Sequence, residues 1–349
     1  MKTLTYNHST TEKWLDDLTL EFDNFPESTD ISPIQYDSAK LIEILRNKEV
    51  EEVCKGNQKE YQLYDGIDRQ LGKVVKDLVL EKNFEESIKE YYQFERKIEK
   101  EISSDLYIFA KQALLSVKSL YYYKTKNWDK AIAITLECIA LNDYLVQLGM
   151  QTLVLRVYEQ NKNISRILFK SGAKQEAHNL LFNLFNYMLN GVNNNLYGTI
   201  FLHEKLWKKT PILRETYSYE MFNMVAEDII RFNIEKTEAF FPNDWYMNLT
   251  FEVDNINRQI LYNWIYINQK LHEKDYATFF SSLSYFFNEP SSKYYDILKV
   301  YLIIDLIKLI NQLNYKSKSI IFNNIHDFLV TKININKKLK QKIIDLYLK

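Results

Sequence analysis

Proline and glycine are scarce in this chain. Among 349 residues there are five prolines and seven glycines, and no proline occurs between Pro33 and Pro211. A sheet protein of this length needs many tight turns, and such turns draw on both residue types. Their scarcity excludes a strand-rich fold and leaves long helices joined by short polar links. Cysteine is equally sparse: Cys54 and Cys138 are too few for a disulfide framework or a zinc site. Cys138 falls on the apolar face of a helical stretch, as a small core residue would. The opening MKTLTYNHSTTEKWLDDLTLEF has no continuous apolar stretch, so no secretory signal is visible. The most apolar segment, Tyr294 to Leu313, is interrupted by Asp296, Lys299, Asp305 and Lys308 and falls short of a membrane span. A reduced, cytoplasmic location away from membranes is the expectation.

Motifs that carry chemistry are missing as well. No two glycines are spaced to cradle a phosphate ahead of a helix, and there is no G-x-S-x-G elbow. His203-Glu204 and His272-Glu273 share the string LHEK, but neither pair has a second histidine four residues after the first, so a zinc-binding helix is not encoded. His8, His178 and His326 have no Cys or Ser partner at a recognisable spacing. The acidic pairs Glu51-Glu52, Glu85-Glu86 and Glu227-Asp228 lie in amphipathic helices, where a solvated face is their ordinary place. These observations lean away from an enzyme, and no cofactor or metal is expected.

What is present is a core. Hydrophobic residues make up 46% and charged residues 26%, the balance of a folded protein rather than a disordered one. The length exceeds the roughly 250–300 residues at which single cores stop growing, so the chain should be two domains or an extended solenoid. Net charge is −1, which gives no field to attract nucleic acid or an anionic membrane. The charge is uneven: Met1 to Glu60 holds thirteen acids against seven bases, giving −6, whereas Leu306 to Lys349 holds nine lysines against two aspartates, giving +7.

Internal comparison reveals a repeat. LEKNFEESIKEYYQFERKI (80–98), YKTKNWDKAIAITLECIAL (123–141) and FKSGAKQEAHNLLFNLFNY (169–187) share a polar turn, then a small residue (Ser87, Ala131, Ala177), then apolar residues three to four apart. A weaker fourth copy spans 271–290. A small residue early in a second helix lets paired axes come close, and the apolar positions after it fill the groove formed with the next pair. In these features the chain resembles the tetratricopeptide repeat family. Phe84, Ser87, Tyr91 and Phe94 match its motif in the first copy, and Trp128, Ala131, Thr135 and Cys138 in the second. The third matches through Ala177, Leu181 and Leu184 after Gly172, and the fourth through Tyr276, Phe279, Leu283 and Phe286. The departures are a spacing of 44 and 46 between the first three small residues instead of the family's roughly 34, and Val75, Ser119, Ser165 and Ile267 in place of glycine or alanine.

The resemblance implies an all-α fold, an α-α hairpin solenoid with a C-terminal helical extension. Its expected parts are an N-terminal arm or cap at 1–35, repeats at 36–191, and a helical region at 192–349 with one further hairpin. It also implies a concave groove lined by the first helix of each pair. The groove positions that follow are Arg69, Lys76, Tyr123, Lys124, Lys162, Arg166 and Lys170, a basic set with one aromatic residue. Such a groove suits a protein or peptide partner, and an acidic one by charge-assisted hydrogen bonding. The leading expectation is a scaffold or adaptor. The alternatives are a peptide-responsive regulatory module and an accessory subunit of an enzyme complex.

Overall fold

The structure, a computed structural model, describes residues 8–27, 33–79, 84–191, 195–199, 211–233, 248–289, 291, 293–313 and 315–348. Every regular element among the described residues is helical, and none is a strand. By contacts the chain forms two compact units, residues 37–215 and residues 1–36 together with 216–349. The N-terminal segment groups with the C-terminal helices, and the two units divide at 36/37 and 215/216.

The unit of residues 37–215 runs through α2 (Pro33–Cys54), α3 (Gln58–Val79), α4 (Phe84–Glu101), α5 (Ser104–Lys124), α6 (Trp128–Gln147), α7 (Leu153–Ser171) and α8 (Lys174–Asn190). Polar caps set the helix starts. Ser103 accepts the Leu106 N–H ahead of α5, and Asn127 accepts the Lys130 N–H ahead of α6, each satisfying a donor the helix itself cannot. Gly172 closes α7 in the left-handed conformation at φ 99°. That lets its own N–H and that of Ala173 bond back to the Phe169 and Leu168 carbonyls. Ile67, Leu71, Val74 and Leu78 recur at helical spacing on α3 and bury against Tyr91 and Ile98 of α4 and Ala110, Leu114 and Val117 of α5. The Tyr91 hydroxyl donates to the Leu114 carbonyl at 2.9 Å, which removes the penalty of burying it.

Successive helices pack as neighbours: α3 on α4 and α5, α4 on α5, α5 on α6, α6 on α7, and α7 on α8. The small residues of the repeat are buried. Ala131 and Ala177 have no exposed surface, and Ser87 is 5% exposed. Ser119, which stands where the repeat family has glycine or alanine, donates to the Ala131 carbonyl at 3.1 Å and meets the Thr135 hydroxyl at 2.6 Å.

The second unit contains α1 (His8–Glu21) with a 3-10 turn (Phe22–Asn24), α9 (Pro211–Asn233), α10 (Ile256–His272), α11 (Tyr276–Asn288), α12 (Asp296–Leu313), α13 (Lys318–Thr331) and α14 (Lys337–Tyr347). The N-terminal helix packs on the C-terminal helices. Phe22 and Phe25 pack with Phe287 and Phe328 at ring distances of 5.4 to 6.1 Å. Tyr315 donates to Asp16, Asn324 to the Thr19 carbonyl at 2.8 Å, and Lys332 to the Phe25 carbonyl at 2.6 Å. Four aromatic rings buried with satisfied polar anchors explain why this segment joins the C-terminal helices.

Replacing Ala131 or Ala177 with Phe should overpack these contacts at a cost of about 1–3 kcal/mol, read as a lower melting temperature; unchanged melting for both would contradict the packing. A second outcome is pH-dependent. Burial raises the Asp305 carboxyl from 3.8 to about 6, partly offset by Lys308 at 3.8 Å. A carboxyl raised on folding favours the fold at low pH, and that contribution is lost as pH rises through the folded value. Asp305→Asn should therefore melt above the parent at about pH 8 and lose the advantage near pH 5; the reverse trend in thermal melts would contradict it.

Candidate functional site

A cleft of about 310 Å³ opens between α3, α5 and α7. From α3 come Val75 and Val79, and from α5 come Ser116, Val117, Ser119, Leu120 and Tyr123. The α7 wall supplies Arg156, Glu159, Gln160, Asn163, Arg166 and Ile167. One wall is apolar and the facing wall is polar. Val79 stays 50% exposed although it is a large apolar residue on the rim.

The polar wall is tied together. Arg156 and Glu159 pair at 2.6 Å, Asn163 donates to Gln160 Oε1 at 3.3 Å, and Gln160 Nε2 crosses to Ser116 Oγ on α5 at 3.0 Å. Beneath Ser116, the Cys138 thiol donates to the Gln112 carbonyl at 3.3 Å and lies 3.5 Å from the Ser116 hydroxyl. Burial pushes that thiol up to about 11, so it stays protonated at neutral pH and is no nucleophile. Tyr123 packs on Trp128 with ring centroids 5.7 Å apart. A second depression of about 640 Å³, at the turn from α2 to α3, is lined chiefly by charged and amide side chains such as Lys48, Glu51, Glu52 and Gln58.

Of the seven residues expected to line a groove, Tyr123 and Arg166 reach the cleft. Arg69 is exposed on α3 and pairs with Asp65 at 2.5 Å. Lys76 and Lys170 are exposed outside the lining, Lys124 is half-buried at the last position of α5, and Lys162 is buried at 7% exposure. Val75, Tyr123 and Asn163, the sequence neighbours of Lys76, Lys124 and Lys162, line the cleft, and one position is about 100° around a helix. The α7 residues carried a readable signal, because Arg156, Glu159, Gln160, Asn163, Arg166 and Ile167 recur at three and four.

Other expected features are placed as follows. His272 is half-buried and its pKa is lowered by burial, while Glu273 pairs with Lys270 at 2.7 Å. His203 and Glu204 lie outside the described residues. Among the described residues no group of three or more His, Cys, Asp or Glu side chains could hold a metal ion, and no helix is long and apolar enough to cross a membrane. Both cysteines are free thiols. Elsewhere in this unit, Glu49 caps α7 from α2, accepting the Thr152 N–H at 2.9 Å and its hydroxyl. Compared with protein-family models, curated proteins and solved structures, the chain matches none.

The bond from Gln160 to Ser116 spans the cleft floor, so its loss is measurable. Gln160→Ala and Ser116→Ala should each cost about 1 kcal/mol, and the double variant should cost less than their sum by roughly 0.5 kcal/mol or more. Strict additivity in urea unfolding would mean that the two side chains do not act together.

Proposed function

We propose that residues 37–215 form a stack of tetratricopeptide-like helical hairpins whose α3–α5–α7 cleft binds a short segment of a protein partner, making the chain a non-enzymatic scaffold or adaptor. The observation that carries this reading is the cleft itself, which draws its walls from alternate helices and sets an apolar wall of Val75, Val79 and Leu120 against a polar wall of Arg156, Gln160, Asn163 and Arg166. An apolar side chain of a partner would bury against α3 and α5, while amides and guanidinium groups on α7 offer hydrogen bonds to its main chain and carboxylates. Two arginines against Glu159 leave the lining with one positive charge. That favours an acidic segment.

Further support comes from the order of packing, in which the helices from α3 to α8 each meet the next in sequence and the repeat's small residues lie buried. Packing dominated by sequence-near helices is the pattern of a quasi-one-dimensional stack, and such stacks present extended recognition surfaces. The two free thiols fit a reducing compartment, so the proposed place of action is the cytoplasm.

Selection of displayed random peptides on the immobilised full chain tests the proposal. Enriched peptides should combine a bulky apolar residue with Asp or Glu and should compete with one another. Val79→Asp and Arg166→Glu, both at rim or half-exposed positions, should weaken them about tenfold or more with the helical spectrum unchanged, a loss of about 1.4 kcal/mol. Peptides that bind both variants as tightly as the parent would place the working surface elsewhere.

A further inference from the structure

Residues 195–199 follow α8 and lie against α6 and α7, held through their main chain. The Asn161 side chain, fully buried, donates from Nδ2 to the Tyr197 carbonyl at 2.9 Å and accepts the Tyr197 N–H on Oδ1 at 3.0 Å. One amide thus reads both main-chain groups of one residue. The Asp143 carboxylate accepts the Thr199 N–H and, at 3.1 Å, the Thr199 hydroxyl, to which Gln147 also donates at 3.5 Å. Between these clamps Gly198 has φ 119°, and a Cβ there would stand 3.1 Å from Val157 Cγ1 and 3.2 and 3.3 Å from the Asp143 oxygens. Both the conformation and the clearance demand glycine.

The Tyr197 side chain remains 41% exposed, so the strap is bound by what any chain of the right shape could offer. Recognition through main-chain groups, with one position filtered for glycine and the next for a hydroxyl, is the chemistry of a peptide-reading site. At the end of α6, one position on from Asp143 and Gln147, Tyr144 and the C-cap residue Leu148 are 51% and 60% exposed. They lie one helical turn apart at i and i+4 and offer exposed apolar surface next in sequence to the residues that hold the strap.

We propose that the groove formed by Asp143, Gln147, Val157 and Asn161 is a second peptide-binding site, occupied in cis by residues 195–199, and that its partner is an extended segment with glycine followed by Thr or Ser. The strap is an internal competitor. A short tether gives it an effective concentration in roughly the millimolar range, so a segment making only the strap's own bonds cannot displace it at lower concentration. A partner that also covers Tyr144 and Leu148 can, and the site is thereby closed to weak ligands and open to the right one.

The test removes the strap and supplies its sequence in trans. In the full chain carrying Gly198→Val and Thr199→Ala, the residue-197 and residue-199 amides should lose hydrogen-exchange protection while the helical spectrum is kept. The capped peptide Asn-Leu-Tyr-Gly-Thr, at about 5 mM and so above the strap's millimolar local concentration, should then shift the Asn161 side-chain amide resonance. It should leave the parent chain at least tenfold less affected. Valine in place of the peptide's glycine should abolish the shift, as should Asn161→Ala in the strap-released chain. Should Gly198→Val prevent folding, Thr199→Pro removes the N–H given to Asp143 without touching α6 or α7 and serves in its place. A released strap with no peptide-induced shift, or a shift of equal size with the valine peptide, would show that residues 195–199 are a permanent anchor and overturn the proposal.

Discussion

The spacing of α5, α6 and α7 is fixed by polar side chains buried between them, and the cleft depends on that spacing. The seam between them has two hydrogen-bonded groups: Gln160 of α7, Ser116 of α5 and Cys138 of α6 link all three helices, and Ser119 of α5 with Thr135 of α6 links two. A buried hydroxyl or amide left without a partner costs about 1–3 kcal/mol, so the helices cannot slide without breaking several such bonds together. Purely apolar contacts would tolerate small shifts far more easily. The seam therefore gives the cleft a defined shape, and it makes α7 the pivotal element, since one side of that helix lines the cleft while Val157 and Asn161 hold the strap.

The helical character of the chain was legible because it rests on composition and local rules. Scarcity of glycine and proline, polar caps such as Asn127, and the terminator Gly172 act within a few residues of where they stand. The closeness implied by Ala131 and Ala177 was also readable, since a small residue in an apolar period has few other uses. The place of residues 1–36 was not, because Phe22 and Phe25 find Phe287 and Phe328 some 260 to 300 positions away, and no local pattern encodes which rings will meet.

The cleft was legible in part. Tyr123 and Arg166 line it, whereas Lys76, Lys124 and Lys162 each stand one residue from a lining position. Basic side chains also drew more weight than they warranted. The clasp of Asn161 and Asp143 on the strap had no sequence signal beyond Gly198, because its partners are 36 and 56 residues apart.

Residue-resolved hydrogen exchange tests the claim about the seam most directly, because amides that open together reveal helices that are stable together. The account predicts that α5, α6 and α7 exchange as one slow cooperative unit, and that Gln160→Ala speeds exchange in α5 and α7 by similar factors. An α7 that exchanges independently of α5 in the parent chain, or responds alone to Gln160→Ala, would contradict it.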